Sequence, residues 1–293
     1  MEIHVFGNSN LTGHEFVNLC SLKIQEAKVV EFKRDHFSSN YFDLSKPETY
    51  IPNTEKDFIC VSFAPLWILT DFFNCLFEDY PERLKNFKGL VCCSSSSVIT
   101  KRFSFNKYDQ ELFDKLFFSE QKLSSIFSIN KKSLSILRPT LIYGVSDHYK
   151  DKNLSTLISI MDKLPFILLP KRTGLRQPIH YKQLASVSLA SVQKMLNQDQ
   201  NIYNNEFLSI GGDETLTYKQ MIINLQNSLS LNNDARKCYI ISIPNNIFYF
   251  LSSFLILISP RFYESLIRIS CNLSGFKNSH EITNTKPQPF PLI

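Results

Sequence analysis

The sequence predicts an α/β protein built on a doubly wound parallel sheet with a small C-terminal subdomain, and three observations predict it. Short apolar runs of strand length alternate with segments of helical spacing through the first half of the chain. The first run passes directly into a loop bounded by glycines and then into a helix. After Gly144 the alternation gives way to another rhythm. A length of 293 residues suits one large domain or two small ones, and 43% hydrophobic with 20% charged residues excludes collagen-like and fully disordered chains.

Taken in order, Ile3 to Phe6, Lys28 to Phe32, Phe58 to Ser62, Gly89 to Cys93 and Leu134 to Leu137 read as strands. His14 to Leu22, Trp67 to Leu76 and Gln110 to Ile126 carry apolar residues at helical spacing, so right-handed crossovers should place helices on both faces of the sheet. Asn153 to Leu164 reads as a further helix, followed by an irregular stretch from Pro165 to Pro178. Strand character returns at Glu206 to Ile210, Gly211-Gly212 ends it, and Thr217-Tyr218-Lys219-Gln220 has the form of a capping box opening a helix at Tyr218. The apolar segment from Ile247 to Ile258 is short of the roughly 20 residues needed to cross a bilayer. It is expected to be a buried helix or an oligomer contact such as a homodimer, with peripheral membrane attachment as the alternative. The proline-containing tail from Ile282 to Ile293 reads as a surface arm.

The net charge of +5 is spread along the chain, which argues against a nucleic-acid surface and leaves an anionic small ligand open. Seven cysteines and six histidines show no metal-ligand spacing, so no metal is expected and the cysteines read as buried filler in a reduced, cytoplasmic protein. The N-terminus lacks a basic region followed by a long apolar stretch, so secretion is not expected.

Gly7-Asn8-Ser9-Asn10-Leu11-Thr12-Gly13 lies where a dinucleotide fold places its phosphate loop, with backbone N–H groups at a helix N-terminus. The loop resembles the GxxGxxG of extended short-chain dehydrogenases/reductases, the nucleotide-sugar epimerase/dehydratase family, with Asn10 in place of the middle glycine. Asn10 fits there as a residue that tolerates a left-handed backbone. The resemblance extends in order through Gly89-Leu90-Val91-Cys92-Cys93-Ser94-Ser95-Ser96-Ser97, Leu137-Arg138-Pro139-Thr140-Leu141-Ile142-Tyr143-Gly144 and Gly174-Leu175-Arg176-Gln177-Pro178-Ile179-His180-Tyr181, and is nearest to members from bacterial O-antigen and capsule sugar clusters.

This resemblance implies a Rossmann-type nucleotide domain over residues 1–144, to which 177–212 return, and a substrate-binding subdomain from 145–176 and 213–293. It implies NAD or NADP along Gly7, Asn10, Leu11, Gly13, Arg34, Ser62, Ala64 and Ser94. Arg34 after the second strand points to the 2′-phosphate of NADP, with Asp35 adjacent. A nucleotide-diphosphate sugar is implied as substrate, held by Ser95, Ser97, Tyr143 and above all Arg176, whose guanidinium can grip two diphosphate oxygens. His180 reads as structural, and Leu141 stands where many relatives carry a substrate-contacting asparagine.

The family moves a proton with a Tyr-x-x-x-Lys pair, assisted by a serine to which Ser96 corresponds. If Glu120 keeps the family's register, the tyrosine and lysine positions are Leu112 and Leu116. Lys101 and Tyr108 are the nearest substitutes, and Tyr108 would need a neighbouring cation to work near neutrality. The leading expectation is therefore an NAD(P)-dependent epimerase, dehydratase or 4-keto reductase of bacterial surface polysaccharide synthesis. The alternative is a non-catalytic cofactor- or UDP-sugar-binding regulator, or a scaffold for a glycosyltransferase. A reductase of non-sugar carbonyls is a third option, under which Arg176 would be dispensable.

Overall fold

The computed structural model describes residues 1–24, 26–34, 40–53, 55–197 and 203–292, and the backbone but not the side chain of Arg261. Asp35 and Ile293 lie outside the described residues. In chain order the first half runs β1 (Glu2–Phe6), α1 (Leu11–Lys23), β2 (Lys28–Phe32), β3 (Phe58–Ser62), α2 (Leu66–Asp79), β4 (Phe87–Cys93), α3 (Ser97–Thr100), α4 (Lys107–Ile129) and β5 (Ser133–Pro139). Then follow β6 (Ile142–Tyr143), α5 (Leu154–Lys163), β7 (Phe166–Pro170), β8 (Leu175–Arg176), β9 (Ile179–His180), α6 (Tyr181–Leu196) and β10 (Asn205–Gly211). The C-terminal part contains β11 (Leu216–Thr217), α7 (Tyr218–Ser228), β12 (Tyr239–Ile243), α8 (Asn245–Ser253), α9 (Pro260–Ile267), β13 (Lys277–Asn278) and α10 (Ser279–Thr283).

Among the described residues, seven strands form one sheet in the order β13-β10-β5-β4-β3-β1-β2, and every pairing in it is parallel. This is the expected doubly wound α/β architecture. All residues of β1 and β3 are buried, as strands covered on both faces require. Alternation along the strands sorts the core into two layers. Phe6, Phe58, Phe87 and Leu90 face the layer closed by α2 and α4, while Ile3, Val5, Ile59 and Val61 face the layer closed by α1 and α6.

The first layer is aromatic. Phe73 sits 5.2 Å from Phe72, 5.6 Å from Phe87 and 5.3 Å from Phe127, centroid to centroid. At its edge the ring of His4 stacks on Phe58 at 4.6 Å, with Nδ1 2.6 Å from the Tyr50 hydroxyl and Nε2 3.3 Å from a Glu2 carboxylate oxygen. Behind α4, Glu120 is fully buried and takes a two-pronged ion pair from Arg138 at 3.0 and 3.1 Å.

Residues 145–176 and 213–293 carry apolar clusters of their own. One gathers Met161, Leu169, Ile222 and Phe248, and another gathers Leu154, Met221 and Phe290 around Tyr143 of the first part of the chain. β13, from the same part of the chain, pairs with β10 on the main sheet.

Two local expectations need correction and a third needs completing. The stretch from Pro165 to Pro178 is not irregular, because β7 pairs in parallel with β12 and β8 pairs antiparallel with β11. α8 is not a buried helix: Phe248 and Ser252 face inward, and Ile247, Phe250 and Leu251 face solvent. The tail is exposed over residues 284–289, as a surface arm should be, but it is also anchored near its end. Asp213 and Glu214 accept the N–H groups of Gln288 and Phe290, and the Phe290 ring is buried.

Burial holds the pKa of His4 and His180 down to about 4, below the usual 6.5. The unfolded chain takes up these protons below about pH 6.5, whereas the folded chain resists down to about pH 4. Stability from this source is complete above the unfolded value and is lost as pH falls through that window. Denaturant midpoints measured against pH should fall between pH 6.5 and 4, with a shallower fall in His4→Gln than in the parent. Separately, Phe73→Ala should cost about 3–5 kcal/mol in the same assay, the price of a cavity in an aromatic layer.

Candidate functional site

The strand order reverses between β1 and β3, and the loops at the carboxyl ends of these strands converge there. Gly7 follows β1 at φ +69°, and a Cβ on it would lie 2.7 Å from the Ala64 nitrogen in the turn after β3. Only glycine permits both the backbone and the contact. A Cβ on Gly13 would likewise meet the Asn8 Cα at 2.7 Å.

Asn10 departs from the expectation of a left-handed residue. Its backbone is extended (φ −149°, ψ 170°), and it acts as N-cap of α1. Its Oδ1 accepts the Gly13 N–H at 2.9 Å, and its Nδ2 donates to the Gly7 carbonyl at 2.7 Å. The loop is thereby closed on itself, and one amide that a phosphate would use is already occupied.

Asn8 Nδ2 donates to a Glu31 carboxylate oxygen on β2, which places an acid beside the loop. Glu31 was not among the expected site residues, and its signal, an acid near the end of the second strand, was masked by Arg34 three residues on. Arg34 is exposed and pairs with Asp43 at 3.0 Å. Ser62 Oγ accepts the Ala64 N–H at 3.3 Å and is fully buried.

The serine loop after β4 is stitched to the end of β5. Ser94 donates its N–H to the Leu137 carbonyl at 2.7 Å, and Ser96 donates to the Pro139 carbonyl at 2.9 Å. Ser95 Oγ donates to Ser97 Oγ at 3.0 Å, so these two hydroxyls hold each other. Ser94 Oγ is buried and has no hydrogen-bond partner among the described residues.

Two cavities border these loops. One of about 490 Å³ is lined by Ser9 to Thr12, Phe63, Cys93 and the 149–153 segment with Lys150 and Lys152. The other, of about 280 Å³, brings together Ser96, Thr140, Leu141, Asn153, Arg176 and Tyr218. Asn153 borders both. Asn153, Tyr218, Lys150 and Lys152 were missed in the sequence, since nothing in the 149–153 run marks it as cavity-facing.

Arg176 is only 7% exposed, and its guanidinium lies 5.2 Å from the Tyr218 ring centre. It is not a free fork: it donates to the Leu175 carbonyl at 2.7 Å, to the Cys271 carbonyl at 2.5 Å and to the Arg268 carbonyl. Among the described residues no carboxylate forms an ion pair with it, and burial draws its pKa below the usual arginine range.

Other expected residues lie elsewhere. Tyr143 borders neither cavity. It is buried beneath the tail, where its hydroxyl accepts the Leu292 N–H at 3.0 Å, its ring meets Phe290 and His180, and burial raises its pKa to about 12. Tyr108 is 60% exposed and also borders neither cavity. Lys101 Nζ is held 2.6 Å from Asp109, whose other oxygen pairs with Arg268. Leu116 is buried in the aromatic layer and Leu112 packs against it, so the register of the usual proton-transfer pair is filled by hydrocarbon. His180 caps α6 in a capping box with Gln183, as a structural residue would.

No family model matches the chain and no curated protein matches it. Solved structures do. Gre2 of Candida albicans in complex with NADPH is 13% identical, covers 99% of this chain and 95% of its own, and gives a TM-score of 0.64. UDP-glucuronic acid 4-epimerase of Bacillus cereus in complex with NAD is 14% identical over 99% of this chain and 94% of its own, with a TM-score of 0.59. dTDP-4-dehydrorhamnose reductase of Yersinia enterocolitica is 17% identical over 84% and 85%, with a TM-score of 0.53. At these identities the likeness establishes a common fold.

The cap can be tested by itself. Asn10→Ala should lower stability by about 1 kcal/mol and Asn10→Gly by only a few tenths, in chemical denaturation.

Proposed function

We propose that this chain holds a nicotinamide dinucleotide and a nucleotide-diphosphate sugar side by side and acts as an NAD(P)-dependent epimerase, dehydratase or 4-keto reductase in bacterial surface polysaccharide synthesis. One observation carries the reading. Arg176, a buried cation without a carboxylate partner, shares a cavity with Ser96, and Asn153 joins that cavity to the one above the Gly7–Gly13 loop. An unpaired buried guanidinium is costly, and a diphosphate against its remaining N–H groups would offset that cost. The similar solved structures, one in complex with NADPH and one a UDP-glucuronic acid 4-epimerase in complex with NAD, support the pairing of ligands.

The dinucleotide supplies a hydride acceptor and donor when bound. Gly7 and Gly13 let backbone approach it, Leu11 borders the cavity, and Ser62 and Ala64 form the facing turn with Ser94 beyond. Lys150 and Lys152 add positive charge opposite the helix N-terminus, where a pyrophosphate is stabilised. Glu31, whose carboxylate holds Asn8 and pairs with Lys33 at 3.0 Å, would accept ribose hydroxyls and so favours NAD, against the NADP reading of Arg34. On the sugar side, Ser96 offers the hydroxyl that orients the reacting oxygen, while Ser95 and Ser97 hold the loop in shape.

A second reading is favoured by the leucines at 112 and 116 and by the placement of Tyr108 and Lys101 outside both cavities. It is a binding protein without turnover that acts as a regulator or scaffold.

Calorimetric titration with NAD, NADP and their reduced forms, each with and without UDP, tests the proposal. Saturable binding of one dinucleotide and of UDP is expected, and no dinucleotide binding overturns the oxidoreductase reading. Arg176→Gln should weaken UDP at least about tenfold, as loss of a charged hydrogen-bond donor implies. Ser96→Ala should abolish turnover of the UDP-sugar with dinucleotide affinity unchanged; a scaffold would show no functional change. Asn10→Gly, which frees the Gly13 amide, should tighten dinucleotide binding.

A further inference from the structure

In α8 the residues Phe248 and Ser252 face the interior, and Ile247, Phe250 and Leu251, continued by Phe254 in the turn just past its end, repeat at i, i+3, i+4 and i+7 on the opposite side. The helix is thus apolar on both sides, and one side is uncovered. The chain then turns through Leu257 and Ile258 before α9, and these two side chains are 90% and 80% exposed. Values that high describe an apex that touches almost nothing, with Phe262 beginning the return. A soluble surface rarely leaves so many large apolar side chains in one place.

The first carboxylate past this apex, Glu264 on α9, lies 3.8 Å from Arg268. Between Asp234 and Glu264 the sequence contains no carboxylate. At the base of α8, the Lys171 N–H donates to the Ile243 carbonyl at 2.7 Å and the Arg172 N–H donates to Asn245 Oδ1 at 3.0 Å, which fixes two exposed cations beside the helix. Neither forms an ion pair among the described residues.

We infer that the α8–α9 apex is a membrane-docking wedge that inserts into the interfacial region of an anionic lipid bilayer. An apolar, aromatic-bearing projection fits the acyl boundary of a bilayer, and the flanking cations fit its headgroups. A second copy of the chain would oppose the same basic-flanked surface to itself, with no carboxylate between Asp234 and Glu264, and gain little charge complementarity. The inference is independent of catalysis, since it uses no residue of either cavity.

Flotation of the full chain tests it with two kinds of vesicle: phosphatidylcholine alone, and phosphatidylcholine with about one third phosphatidylglycerol. Binding is expected to the anionic vesicles and to be weakened by about 0.5 M salt. Leu257→Ser with Ile258→Ser should reduce it about a hundredfold, the loss of two buried aliphatic side chains. Those positions are so exposed that the variant should keep the parental thermal midpoint. Lys171→Gln with Arg172→Gln should weaken binding about fivefold per charge while leaving the apolar apex intact. No flotation with either vesicle overturns the inference. So does equal binding to neutral vesicles, or a dimer in light scattering that the Leu257/Ile258 variant dissociates without any vesicle binding.

Discussion

Between β1 and β3 the direction of winding changes, and a crevice opens that neither crossover can fill. The close approach of Gly7 to the Ala64 nitrogen sets the width of that crevice, because any side chain on Gly7 would drive the two loops apart. The serine loop reaches the same edge because β4 lies next to β3, and its amides are tied to the end of β5. Backbone packing alone therefore brings the phosphate-type loop, the 62–64 turn and Ser96 to one side of the sheet.

Electrostatics then links the crevice to the C-terminal part of the chain. Arg176 holds the carbonyls of Arg268 and Cys271, the Arg268 side chain reaches Asp109, and Asp109 holds Lys101 just after the helix that begins at Ser97. An anion that drew Arg176 toward the cavity would pull on this chain of charged groups and hence on the serine loop. The guanidinium thus braces Leu175 and the 268–271 segment with three of its five donors, and on the proposed reading the rest would face a ligand.

Much of this was legible in the sequence, and for a local reason. The core strands of the sheet are short apolar runs, and the capping box at Thr217 and Gln220 is complete within four residues, so neither needs distant information. What was illegible depends on partners far along the chain. β7 is recognisable only beside β12, Tyr143 looks available until the tail lies over it, and Arg176 looks like a free fork until the 268–271 carbonyls arrive. Asn10 shows the limit of substitution by analogy: it replaces a glycine by using its side chain as a cap, an option glycine lacks, and it leaves the backbone extended.

The leucines at 112 and 116 follow the same physical logic. α4 presents these positions to the aromatic layer, where a tyrosine and an ammonium would need water or a ligand to satisfy their polar ends. Two leucines make no such demand and bury hydrocarbon in that layer. The fully buried Glu120, one turn beyond, survives because Arg138 satisfies both of its oxygens without help from a substrate. On the proposed reading, a proton at this site would come from a cavity-lining group such as Ser96 or Tyr218 or from the ligand, since Leu112 and Leu116 carry none to give.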